Sequence, residues 1–150
     1  MELTTDTIKQ LREATGVSVM QCKKALEESG GDLEAAAALL RERAVAGAAK
    51  KADRELGAGI IGSYTHDGTM GAMVLLSCET DFVAKNPEFG ALAKELAMQV
   101  AAMAPTDTEA LLAEPFIKDA GRKVADLVND AIQKFGERVE IASFTRLSVH

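Results

Sequence analysis

Glu79-Thr80-Asp81-Phe82-Val83 puts a phenylalanine beside an aspartate where an apolar, strand-like run ends and a helix begins. The run is Ala72-Met73-Val74-Leu75-Leu76-Ser77-Cys78, and the helix opens at Asn86-Pro87. Such a corner is normally built from Gly, Ser or Asn. An apolar ring with an acid at its side suits insertion into a partner molecule. A purely structural reading stands beside that one: Asp81 caps a turn and Phe82 tucks under the next helix as a staple-like contact. Phe89 already anchors the apolar stripe of that helix, so the stripe has no evident need of Phe82.

Groups for covalent or acid–base chemistry are scarce. Ser63, His66 and Asp67 have the residue types of a hydrolytic triad, but they surround one hairpin tip, and a triad must converge in space. Only two histidines are present, His66 and His150, both at exposed-looking positions, so no metal site and no cofactor is expected. Single acids such as Glu79 read as solvated surface. Gly57-Ala58-Gly59-Ile60-Ile61-Gly62 matches the dinucleotide fingerprint G-x-G-x-x-G, with an acid, Asp81, about 20 residues further on. The fingerprint needs a strand before it and a helix after it. Here charged Lys50-Lys51-Ala52-Asp53-Arg54-Glu55 precedes and a hairpin follows, so the glycines are expected to relax a linker and let a strand edge pack closely. Lys23-Lys24 and Lys50-Lys51 read as solvated pairs, although a lysine beside Cys22 on a short helix could touch an acidic partner. Nothing argues for an enzyme acting on a small molecule.

Bulk composition narrows the classes further. A chain of 150 residues with 47% hydrophobic content can build one or two small domains with a real core. The net charge of −6 is spread without a basic patch: residues 1–56 carry nine Lys/Arg against ten Asp/Glu, and 57–150 carry eight against thirteen. Binding nucleic acid by phosphate neutralisation is therefore not expected. Cys22 and Cys78 stand apart and read as buried free thiols. Met1-Glu2-Leu3-Thr4-Thr5-Asp6 is too polar for a leader, and no apolar run approaches the ~20 residues of a spanning helix. The expected setting is cytoplasmic, without a membrane.

The elements that would hold these residues follow from periodicity and punctuation. Thr5 or Asp6 caps a first helix with Ile8 and Leu11 on one face, closed by Gly16. Ser18 caps a second, with Val19, Cys22 and Leu26 inward. Gly30-Gly31 ends it, and Asp32 caps a third with Leu33, Ala36, Ala37 and Leu40 inward. Ala44 to Lys51 reads as a frayed helix or linker. Beyond it, Ile60–His66 and Met70–Cys78 are strands joined by a two-residue Asp67-Gly68 turn. Asn86 caps a helix with Pro87 at its first position, carrying Phe89, Leu92, Ala93, Leu96, Val100 and Met103 inward up to Pro105. Residues 106–113 form a short helix, Val124–Phe135 a last helix ended by Gly136, and Val139–Val149 a last strand. The fold class is α+β: a three-helix bundle over 1–45, a linker or helix extension over 46–57, and a core over 58–150. That core is a three-stranded antiparallel sheet with two helices on one face.

These residues also resemble a known family. Leu11-Arg12-Glu13-Ala14-Thr15-Gly16, Cys22-Lys23-Lys24-Ala25-Leu26 and Gly31-Asp32 resemble the ubiquitin-associated-like domain that opens bacterial elongation factor Ts. Cys78-Glu79-Thr80-Asp81-Phe82-Val83-Ala84-Lys85-Asn86 is similar to that family's most characteristic stretch, and Gly136-Glu137-Arg138-Val139 to the motif before its last core strand. The resemblance runs in order through nearly the whole chain. It implies a non-enzymatic guanine-nucleotide exchange factor for elongation factor Tu. Asp81 and Phe82 would be the wedge pressed toward the partner's magnesium, Thr80 and Val83 would hold it, and Lys23 and Lys51 would be further contacts. The chain departs from the family in running from Thr108–Phe116 straight into the last helix, without an inserted helical hairpin. A single-half core of this kind would be expected to pair as a homodimer, with a monomer of reduced affinity as the alternative. The alternative function is an adaptor whose helical module binds ubiquitin-like or other partners without exchange.

Overall fold

The computed structural model describes residues 4–150, so the first three residues of the polar amino-terminal stretch lie outside them. The chain divides into two compact units, 4–52 with 129–136 and 53–128 with 137–150.

The first unit holds three capped helices: α1 (Thr5–Thr15), α2 (Val19–Glu28) and α3 (Leu33–Lys51). Ser18 and Asp32 cap α2 and α3 as their side-chain chemistry requires. The cap of α1 is Thr4, one residue earlier than expected, whose hydroxyl accepts from the Thr7 N–H at 3.1 Å. Leu11, Val17, Cys22, Ala25, Leu26, Ala36 and Leu40 form the core, with Ile8, Ala37 and Leu39 packed on it. Val19 and Leu33, expected inside, are exposed. Each is the first residue of its helix, and the inward place at the head of α2 is filled by Val17 from the preceding loop. The alanine-rich run 44–51 is ordered helix, the second part of an unbroken 19-residue α3.

The second unit is built on a hairpin of β1 (Ala58–His66) and β2 (Met70–Cys78), followed by the single turn α4 (Asp81–Ala84) and the long α5 (Pro87–Met103). After them come α6 (Thr108–Ala113), a small hairpin of β3 (Pro115–Phe116) and β4 (Asp119–Lys123), then α7 (Val124–Phe135), which the two units share, and β5 (Glu140–Ser148). The main sheet is antiparallel in the order β1-β2-β5, with Ile61 opposite Leu75 and Met73 opposite Thr145. His66 pairs with Met70, so the β1–β2 connection has three residues rather than the two expected. Asp67 and Gly68 both take positive φ there, at 52° and 68°. Glycine takes that conformation freely, and aspartate, like asparagine, takes it more readily than most other residues.

Helix α5 lies against one face of the sheet. Asn86 caps it with Pro87 at its first position, and Phe89, Ala93, Leu96, Ala97 and Val100 are fully buried along it. Contact is closest at Gly62, where an added Cβ would sit 2.3 Å from the backbone carbonyl carbon of Ala93. Met103, expected inward, is half exposed at the end of the helix. The G-x-G-x-x-G run thus lies in and just before β1, with a strand after it and no helix. Between α6 and α7, where the sequence reads as a direct connection, stands the β3–β4 hairpin. It is fastened by the buried Gln99 of α5, whose amide donates to the Pro115 carbonyl at 3.0 Å and accepts from the Ile117 N–H at 3.0 Å.

Candidate partner-binding corner

Strand β2 ends at Cys78, and the chain turns through Glu79 and Thr80 into α4. Thr80, not Asp81, is the cap: its backbone is extended and its hydroxyl accepts from the Val83 N–H at 3.4 Å. Its carbonyl accepts from the Ala84 N–H at 3.2 Å and from the Cys78 thiol at 3.3 Å. Val83 and Ala84 on the same turn are buried, at 4% and 6% exposure. Alternation around one turn therefore drives two apolar residues inward and turns Asp81 and Phe82 out. The Phe82 ring is 85% exposed, so it does not tuck beneath α5, where Phe89 is fully buried instead. Leaving an aromatic of this size in water has no benefit for the fold itself.

Charged groups surround the corner's base. Glu79, read from sequence as solvated surface, is half-buried, and its carboxylate accepts from the Arg138 N–H at 2.5 Å and faces Arg54 at 3.5 Å. The Arg138 guanidinium donates to the Arg54 carbonyl at 2.7 Å and lies 3.4 Å from Glu140. The Glu137 carboxylate accepts three hydrogen bonds from Glu79 and Thr80. Beneath them burial pushes the Cys78 thiol above its ordinary value, and the Glu137 charge adds to that. In the sequence, Gly136-Glu137-Arg138-Val139 stands out only through the family resemblance. The pairing itself spans 57 to 59 positions and leaves no local signal.

The other sequence-predicted contacts lie in the first unit. Lys23 is exposed on α2, and Lys51 is the last residue of α3, half-buried. The helical core beside Lys23 includes Cys22, whose thiol burial pushes upward against the opposing effects of Thr15 and Arg12. Ser63, His66 and Asp67 form no triad; the His66 ring meets the Tyr64 hydroxyl at 3.0 Å and the Asp67 carboxylate at 3.4 Å. Among the described residues no group of three or more metal-ligating side chains converges, and no helix is long and apolar enough to cross a membrane.

A family model described as elongation factor TS matches residues 79–150, the stretch that opens on this corner, and one described as a UBA-like domain matches residues 4–46. Elongation factor Ts of Thermodesulfovibrio yellowstonii is 38% identical over 193 residues, covering 99% of this chain and 97% of that protein. The chain belongs to the elongation factor Ts family. Elongation factor Ts of Desulforamulus reducens is 37% identical over 191 residues, covering 97% and 88%, and that of Maridesulfovibrio salexigens 38% over 195, covering 99% and 95%. Alignments longer than the 150-residue chain mean that these elongation factor Ts proteins carry residues with no counterpart here. The helical first unit and the sheet-and-helix second unit are the α+β arrangement expected, and the chain's role is that of a translation elongation factor.

Proposed function

We propose that this chain is a guanine-nucleotide exchange factor for elongation factor Tu, without chemistry of its own, working by insertion of Phe82 and Asp81 beside the partner's magnesium and nucleotide. One observation carries the proposal: the Phe82 ring is 85% exposed on a turn whose neighbours on both sides are fixed. Thr80 and Val83 hold the turn, while Lys23 and Lys51 supply contacts from the helical module. Residues 1–45 act as that module, 46–57 as its extension and 58–150 as the core, in the cytoplasm and without binding nucleic acid or membrane.

Magnesium demands near-ideal octahedral geometry and dehydrates reluctantly, so a small displacement of its ligands weakens ion and nucleotide together. Linkage is reciprocal: a factor that weakens nucleotide binding is itself bound more weakly when nucleotide is present. A coupling of about 4 kcal/mol changes affinity roughly a thousandfold. GTP replaces GDP because it is more abundant.

The same proposal includes a homodimer. The sheet face opposite α5 exposes Ile61, Met73, Leu75 and Leu147, and near the hairpin tip it forms a concavity of about 450 Å³. A second copy placed there supplies the missing half of the core.

Co-elution with elongation factor Tu tests the proposal. The complex should be stable without nucleotide and dissociate when GDP is added. Failure to co-elute without nucleotide, or co-elution that added GDP does not diminish, defeats it.

A further inference from the structure

Two carboxylates are crossed at the base of the corner. Glu137 Oε1 accepts from the Glu79 and Thr80 N–H groups, each at 3.0 Å, and its Oε2 accepts from the Thr80 hydroxyl at 2.6 Å. In return, the Glu79 carboxylate accepts from the Arg138 N–H. Each acid therefore holds the backbone of the other's segment.

These bonds do not belong to the sheet. Strand β2 ends at Cys78, β5 begins at Glu140, and the last residues paired between them are Ser77 and Glu140. The crossed acids close the gap beyond that pairing. All three bonds to Glu137 land on the two residues immediately before Asp81. Sheet anchorage is provided separately by the buried Ile141, which pairs with Leu76.

We infer that Glu137 is a positioning residue for nucleotide exchange, fixing through Thr80 the direction in which Phe82 leaves the surface. The inference rests on the exchange reading given above. Charged acceptors make the stronger protein hydrogen bonds, and three on one carboxylate leave the Thr80 backbone little room to swing. Without them the α4 turn keeps its buried Val83 and Ala84, but its entry residue is no longer clamped. The ring then samples several directions, of which one fits the partner.

A double-mutant cycle decides the matter, read as the maximal rate of GDP release from elongation factor Tu at saturating factor. Glu137→Ala should lower that rate about tenfold, and Glu137→Gln, which keeps an acceptor for the two N–H groups but not for the hydroxyl, about threefold. In a Phe82→Ala background, Glu137→Ala should add less than about twofold, because Glu137 acts only through the ring. A merely structural role would give losses that multiply, and that result overturns the inference. So does a wild-type maximal rate in folded Glu137→Ala. If the alanine variant does not fold, Glu137→Gln takes its place in the cycle with the same two refuting outcomes. Phe82→Ala alone at wild-type speed is a separate result: it removes the exchange reading itself, and the inference with it.

Discussion

On the exchange reading proposed above, truncating Phe82 to alanine separates the fold from the function. The ring is 85% exposed, so its removal gives up almost no burial within the protein. Surface substitutions of this kind stay within about 0.5 kcal/mol of wild-type stability. At the partner the balance reverses, because a phenylalanine taken fully out of water contributes about 1.5–3 kcal/mol. If that contribution is made only when the partner's nucleotide site is disturbed, stimulated release should slow roughly 10- to 150-fold. Stopped-flow release of a fluorescent GDP analogue from elongation factor Tu, at saturating factor, measures it directly. Thermal unfolding of the same protein should match wild type. Phe82→Leu, which keeps most of the bulk, should fall between the two. Release at the wild-type rate by a normally folded Phe82→Ala protein would refute the reasoning, since the exposed ring would then have no role in exchange.

Gly62→Ala should destabilise the core by about 1–3 kcal/mol, because the new Cβ meets the Ala93 backbone at 2.3 Å and α5 has to shift. An unchanged Tm would show that the helix yields freely. Leu147→Glu on the open sheet face should convert a self-associating protein to monomer in sedimentation experiments; a wild-type chain monomeric at every concentration counts against pairing. Cys22 and Cys78 are buried with thiols pushed above their ordinary value of 9.0. The folded chain thus keeps protons that the unfolded chain releases, so the stability linked to them is full below that value and lost as pH rises past it. Urea unfolding at pH 8 and pH 10 should show this loss, and Cys22→Ala with Cys78→Ala should reduce it.

Local chemistry explains what the sequence made legible. Ser18, Asp32 and Asn86-Pro87 announce helix starts because a cap is satisfied by groups two or three residues away. The corner at Asp81-Phe82 was visible because an aromatic is the wrong residue for an ordinary turn. What stayed hidden depends on distant partners. The β3–β4 hairpin has no alternation of its own and is held by Gln99, sixteen to eighteen positions earlier. Val19 has helical spacing, yet spacing does not reveal that Val17 already fills the space at the first turn of α2. The crossed pair of Glu79 and Glu137 could be found only once the strands had brought them side by side.

That pairing also sets an order of events during synthesis. Thr80 leaves the ribosome 57 residues before the carboxylate it bonds, so a chain stopped short of Glu137 carries the corner without that bond. On the exchange reading proposed above, such a fragment would carry a loosely aimed ring and compete poorly for its partner. On that reading the ring is aimed only once Glu137 has joined the chain.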